Sequence, residues 1–306
     1  MGGITLSKAS DDYKTVYMPY RNFAERTRVE YLNDLKDLVQ FFEQHGIKEV
    51  KDIGLPQFER YLAELDHRGI AGSTRKRKVV SIRSFLSYLY QDGYINTNLA
   101  KRLIPPFEGP KSPRYLTKLE YERLLEAASR NPRDFALIQL LLQTGIKLSE
   151  LTHLTLNDVE IPSVLSPETK DVGYFHVRGS ERRKGRVLPL NYKACLAIQS
   201  YLPRRIQTTV SALFINRFGQ PLHARGVEKI VNKHLREVGI MNASVQSLRH
   251  TFGVHQAISG ADAGIIQEIM GHKDSRTTSR YFTLAKGITT EELVRRHALW
   301  NYFSRK

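Results

Sequence analysis

One stretch constrains the fold of this chain more than any other. Residues 104–115, IPPFEGPKSPRY, hold Pro105, Pro106, Pro110 and Pro113 with Gly109 among them. Proline lacks an amide hydrogen and clashes with the preceding turn, so no helix and no central strand can run through four of them. Such a stretch behaves as a semi-rigid tether. It divides the 306 residues into a domain at 1–104, a linker at 105–115 and a domain at 116–306. Both are of ordinary domain size.

The first segment reads as helices. In RVEYLNDLKDLVQFFEQHG, Tyr31, Leu35, Leu38, Val39, Phe41 and Phe42 recur at three- and four-residue steps, and Gly46 stops the run. LPQFERYLAELDHRG follows, with Pro56 near its start and Gly69 as its stop. GSTRKRKVVSIRSFLSYLYQDG opens at Ser73 or Thr74 as N-cap, carries Val79, Ile82, Phe85, Leu86 and Leu89 on one face, and closes at Gly93. Three or four helices here predict a small all-α bundle.

The second segment is mixed. KLEYERLLEAASR and FALIQLLLQTG have helical patterns, and the second is apolar almost all round, hence buried. GYFHVRG, a turn SERRKG and RVLPL form a β-hairpin pattern. Further helices are expected in YKACLAIQSYLP, ARGVEKIVNKHLREVG, LRHTFGVHQAISG, ADAGIIQEIMG and TTEELVRRHALWNYF. The fold class is therefore mainly α with a small β-sheet.

Charge narrows the partners. The first 110 residues carry 17 basic and 14 acidic side chains, and the remainder carries 30 and 17. A field of that sign favours a polyanion, and nucleic acid is the commonest one inside a cell. Arg75, Lys76, Arg77 and Lys78 crowd the start of the third helix, where the macrodipole disfavours cations. DNA phosphates would offset that cost; a solvated charged face is the plainer alternative. One cysteine, Cys195, excludes a disulfide scaffold and a Cys-rich zinc module. No apolar run reaches membrane-span length and the N-terminus lacks a signal-peptide core, so a soluble, cytoplasmic protein is expected.

Three pieces of the second segment resemble the tyrosine recombinase (phage integrase-like) family, near its Xer-type and transposon-resolvase members. They are TGIKLSEL (144–151), VRGSERRKGRVLPL (177–190) and SLRHTFGVHQAISGADAGIIQEIMGHKDSRTTSRYF (247–282). The N-terminal segment is similar to the family's SAM-like core-binding domain. The resemblance implies a C-shaped, two-domain clamp on double-stranded DNA, working as a homo-tetramer on two duplexes. It also implies strand cutting by tyrosine attack, a 3′-phosphotyrosine link and rejoining without ATP, metal or other cofactor. The chemistry then needs a placed nucleophile, cations around the phosphorane and an acid for the leaving oxygen.

Carried onto this sequence, the resemblance makes Tyr281 the nucleophile, Arg249 a phosphate-clamping arginine and His272 a phosphate-bonding histidine that orients the nucleophile. His250 is expected in a supporting role, and Glu150 braces the cation at position 147. Two positions depart from the family pattern. Lys147 stands where the first arginine belongs, which keeps the charge and loses the two-pronged donor. It is either a natural variant with a weaker clamp or a residue introduced to slow the chemistry, and the otherwise intact motif favours the second. Gln246 replaces the first histidine of the H-x-x-R box; it can donate to a phosphate oxygen but cannot transfer a proton near neutral pH. The hairpin turn lacks the usual glycine-flanked lysine. Lys184, the only lysine there, is taken as the acid, with Arg182 and Arg183 as rivals for DNA contact.

The function expected is site-specific cutting and rejoining of DNA, as integration, excision or resolution. A catalytically impaired DNA-binding regulator on the same fold is the alternative. The final segment, with Leu293, Leu299, Trp300 and Phe303, resembles the family's exchanged C-terminal helix.

Overall fold

The computed structural model describes residues 3–107, 109, 112–163, 165–166, 173–179 and 184–287. The chain forms two compact units, Met1–Lys111 and Ser112–Lys306.

In the first unit, α1 (Leu6–Asp12) runs through a π-helical turn at Tyr13–Tyr17 into α2 (Met18–Tyr20). Then come α3 (Glu25–Gln44), α4 (Leu55–His67) and α5 (Gly72–Gln91). The helical periodicity of residues 6–20 is hidden in the sequence. Leu6, Ala9, Tyr13 and Met18 are all buried, but the step from 13 to 18 is five, and the π turn absorbs the extra residue. Leu35, Leu38 and Phe42 of α3, Phe58 and Tyr61 of α4, and Ile82, Phe85 and Leu89 of α5 close one core.

The start of α5 corrects the sequence-based expectation. The helix begins at Gly72 with Ala71 as N-cap and no side-chain cap, so neither Ser73 nor Thr74 caps it. The four cations therefore sit beyond the first turn, and carboxylates rather than phosphates offset most of them. Arg77 lies 2.5 Å from the buried Asp34, and Lys78 lies 3.4 Å from Asp34 and 2.8 Å from Asp37. Ser81 Oγ donates to Asp34, and the Tyr61 hydroxyl donates to Asp37. Burial works against the charged form of Asp37, but the bonds from Lys78 and Tyr61 outweigh it and hold its carboxyl below the usual range. Arg75 pairs with Asp66 at 2.6 Å. Lys78 is buried and so is not presented as a phosphate contact; Arg77 is paired with carboxylates yet 39% exposed, and Lys76 is exposed.

The second unit opens with α6 (Lys118–Ala128), started by a reciprocal Thr117–Glu120 capping box. Next, α7 (Pro132–Thr144) begins on an Asn131 cap and is buried on nearly every side, as its composition predicts. After α8 (Leu148–Leu151) come β1 (Val159–Glu160), β2 (Gly173–Val177) and β3 (Arg186–Leu190). β2 and β3 pair antiparallel from Gly173 with Leu190 to Val177 with Arg186, the expected hairpin. β1 adds an edge, and at two residues it is too short to show a period in the sequence. Helices α9 (Tyr192–Tyr201), α10 (Ala224–Glu237), α11 (Val245–Ile258), α12 (Ala263–Met270) and α13 (Ser275–Lys286) complete the unit.

Its main core joins α7, α9, α10, the inward face of the hairpin (Phe175, Leu188, Leu190) and Leu248 of α11. A smaller core of Phe252, Val254, Ile266, Met270, Tyr281 and Ala285 locks α11, α12 and α13 together. Among the described residues no helix is long and apolar enough to cross a membrane. Arg182, Arg183 and the segment with Leu293, Leu299, Trp300 and Phe303 lie outside the described residues.

Candidate active site

The site is built where α7, α11, α12, α13 and the foot of β3 converge. α7 stops at Gly145, whose φ of +58° is left-handed. A Cβ there would also collide with the Phe252 ring, so only glycine suits the position. The stop turns the chain so that Lys147 stands at the N-cap of α8. The Glu150 carboxylate accepts the Lys147 amide hydrogen at 3.0 Å and lies 3.5 Å from the Lys147 ammonium.

Glu150 has a stronger partner, which the sequence reading missed. Arg186, the first residue of β3, donates twice to its carboxylate, at 2.9 and 2.8 Å. Burial alone would raise the Glu150 pKa, but the Arg186 bonds, the Lys147 amide and both cations hold it low. The signal for Arg186 was the arginine heading RVLPL, directly after the hairpin turn.

Three cations meet at the C-terminal end of α12. The Ile269 carbonyl accepts from Arg186 Nε at 2.7 Å, the Met270 carbonyl from Arg249 at 2.6 Å, and the Gly271 carbonyl from Lys147 Nζ at 2.7 Å. Arg249, only 4% exposed, also donates to the Gly145 carbonyl. Helix ends leave carbonyls without intrahelical partners and carry partial negative charge, so consecutive carbonyls can gather cations. Gly271 makes the approach possible. It is left-handed at φ +61°, and a Cβ there would sit 3.0 Å from Arg186 and 3.1 Å from the Lys147 ammonium.

Tyr281 lies on α13 with its ring buried at 1% exposure. The ring rests against Gly253 of α11, where a Cβ would come within 2.6 Å of Cδ2 and 2.7 Å of Cζ. Two histidines flank it, with ring centroids 5.8 Å away for His250 and 6.0 Å for His272. His250 Nδ1 is 3.0 Å from the Tyr281 hydroxyl, whereas His272 Nδ1 bonds Thr278 Oγ1 at 2.8 Å. The hydrogen bond to the tyrosine therefore comes from His250, expected only as a supporting residue, and not from His272. Gln246 is exposed, one turn before His250, with its amide nitrogen 3.4 Å from His250 Nε2.

Burial and neighbouring cations keep both rings neutral. His250 is pushed down to about 4 by burial, Arg249 and Arg280. His272 is likewise pushed down to about 4 by burial, Arg249, Lys147, His250 and Arg186. Burial raises the Tyr281 phenol, and Arg249 and Arg280 only partly counter it. The phenol is thus protonated at rest and needs an acceptor before it can attack.

The structure brings Lys147, Glu150, Arg249, His250, His272 and Tyr281 together, adds Arg186, and places Gln246 at the rim through His250. Lys184 is exposed at the foot of the hairpin, next to Gly185. No group of acidic, cysteine or histidine side chains suited to holding a metal ion occurs among the described residues.

The phage integrase family matches residues 114–287, and the phage integrase N-terminal SAM-like domain matches residues 11–93. Tyrosine recombinase XerC of Pelotomaculum thermopropionicum is 34% identical over 291 residues, spanning 89% of this chain and 92% of the relative. Tyrosine recombinase XerC of Bacillus subtilis is 26% identical over 289 residues, spanning 90% and 92%. Among solved structures, XerH site-specific recombinase bound to palindromic difH substrate aligns with a TM-score of 0.74 at 19% identity, covering 96% of this chain and 85% of that one. A lambda integrase tetramer bound to a Holliday junction aligns with a TM-score of 0.74 at 17% identity, covering 92% and 78%. At such identities these two show a shared fold.

Proposed function

Given that the chain belongs to the phage integrase family of tyrosine recombinases, we propose that it cuts and rejoins double-stranded DNA at a specific site through a 3′-phosphotyrosine link on Tyr281. The observation that carries the reading is the grouping of a buried phenol, two neutral histidines and three cations held by consecutive carbonyls of α12. A scissile phosphate brought to this group gains positive charge where the phosphorane builds negative charge, which is where donors lower a barrier most.

In this reading Tyr281 attacks phosphorus, and Arg249, Lys147 and His272 bind the non-bridging oxygens. Glu150 holds Lys147 and Arg186 in place, and Lys184 protonates the departing 5′-oxygen. The bond energy is kept in the phosphotyrosine link, so rejoining needs neither ATP nor a metal ion. A SAM-like unit at 1–104, tethered by 105–115 to the catalytic unit at 116–306, lets the chain close around a duplex as a clamp. Cutting two strands on each of two duplexes calls for four copies, and the segment after Gly287 supplies the contact between them. The protein acts in the cytoplasm on nucleoid DNA, where its basic second unit meets phosphate.

Lys147 and Gln246 support one other reading, a regulator that binds DNA without cutting it. A single experiment separates the two. Host DNA is offered as nicked duplexes, which trap covalent intermediates, and products are run on a denaturing gel. A protein–DNA adduct that forms with the wild-type chain and disappears in Tyr281→Phe, with binding retained, is the expected result. No adduct on any fragment leaves the regulator; an adduct that persists in Tyr281→Phe moves the nucleophile elsewhere.

A further inference from the structure

We propose that His250 is the base that removes the phenolic proton of Tyr281, doing so in a site where position 246 holds glutamine; the inference rests on the recombinase reading above. His250 Nδ1 faces the Tyr281 hydroxyl at 3.0 Å, within proton-transfer reach. Its other nitrogen faces the Gln246 side-chain amide. An amide carries a donor at one end and an acceptor at the other, and half a turn about its last bond exchanges them. With Gln246 Oε1 accepting from Nε2–H, the lone pair of Nδ1 points at the phenol. Gly253 clears the space that lets the tyrosine ring reach this partner.

The groups facing His250 are Arg249 on its own helix, Arg280 and Tyr281 on α13, and His272 between α12 and α13. Burial and the two arginines keep the imidazole neutral down to about 4. A phosphate bound against Arg249 offsets one of those cations, so the basicity of His250 rises as substrate arrives. The Tyr281 proton passes to Nδ1 while the phenolic oxygen forms its bond to phosphorus. The bond from phosphorus to the 5′-oxygen breaks, its electron pair leaves with that oxygen, and Lys184 supplies the proton. In rejoining, the incoming 5′-hydroxyl returns a proton to the Lys184 amine, and His250 returns one to the departing phenolate.

Two measurements test this on the full-length chain. The first labels histidine with nitrogen-15 and reads the His250 tautomer by NMR at pH 7, assigned against His250→Phe. Nε2–H is expected, and Nδ1–H overturns the inference because Nδ1 then has no lone pair to offer. The second measures adduct formation on a nicked duplex of host DNA that yields the wild-type adduct, with either oxygen or sulfur as the 5′ leaving atom. Sulfur leaves without a proton, so it rescues a lost acid and not a lost base. His250→Phe should slow adduct formation at least about 100-fold with both duplexes, while DNA affinity is unchanged. A rate within roughly threefold of wild type, or recovery on the sulfur duplex, overturns the role of His250 alone. If the wild-type chain forms no adduct, the recombinase reading fails and takes this inference with it.

Discussion

At the residue scale, the phosphate-binding role proposed for Lys147 is tested by giving the position an arginine. A lysine offers a point charge, whereas arginine offers two parallel donors that match the phosphorane. Lys147→Arg should raise the rate of adduct formation on the order of 100-fold with little change in DNA affinity, as read by single-turnover cleavage; an unchanged rate would show that Arg186 already fills the role. Gly253 tests placement. Gly253→Ala pushes the Tyr281 ring aside, and a displacement near 1 Å can cost on the order of 100-fold in rate. Stability should move far less, because a helix-propensity gain of about 1 kcal/mol opposes an overpacking cost of about 1–3 kcal/mol. The two histidines set a pH dependence. Unfolded, they take up protons near the ordinary histidine value; folded, they do so only near 4. Their contribution to stability is therefore complete at pH 7 and is lost as pH falls from about 6.5 towards 4. The melting temperature should fall across that window and fall less in His250→Phe. A flat profile in the wild type contradicts neutral burial of the rings.

At the scale of elements, α12 matters for its last carbonyls more than for its side chains. Gly271→Ala puts a methyl group against both Lys147 and Arg186 in a left-handed conformation. It should cost about 1–2 kcal/mol and slow cleavage as Lys147→Ala does, measured by chemical denaturation and the adduct assay in parallel. In the first unit, α3 and α5 are joined by Asp34, whose side chain is 2% exposed and which meets both Arg77 and Lys78. Asp34→Ala removes one partner from each cation, while Lys78 keeps Asp37 and Arg77 keeps Glu30, and should destabilise that unit by about 1–3 kcal/mol. Lys76→Ala should leave stability within about 0.5 kcal/mol. It should also reduce the slope of log affinity against log salt by about 1 if Lys76 touches a phosphate. Equal effects from the two substitutions would show that α5 does not divide its cations in this way.

For the whole molecule, most of the excess of basic over acidic side chains lies in the second unit, 29 against 17, so DNA affinity should fall steeply between low and moderate salt. Residues 112–306 alone should bind with a shallower salt slope than the full chain, because the first unit's phosphate contacts are missing; identical slopes would remove the first unit from the interface. The mainly helical fold, the hairpin and the buried α7 were legible in the sequence because each rests on local periodicity, and local periodicity survives in one dimension. The helix at the N-terminus was not, because a π turn shifts the period between Tyr13 and Met18. The motifs around Arg249, His272 and Tyr281 likewise stand in the sequence as spacings within α11, α12 and α13. Which histidine touches the phenol does not. His250 and Tyr281 are 31 residues apart, and their 3.0 Å contact exists only because α11 packs on α13 across Gly253. Arg186 and Glu150 are 36 residues apart and meet because β3 delivers one to the start of the short helix that carries the other. Lys78 and Arg77 look like phosphate ligands in the chain and are carboxylate partners in the fold. The sequence by itself determined most of the elements and the charge balance, since these depend on neighbours along the chain. Only the tertiary structure decided the pairings, because charge and hydrogen bonding act over a few ångströms regardless of distance in sequence.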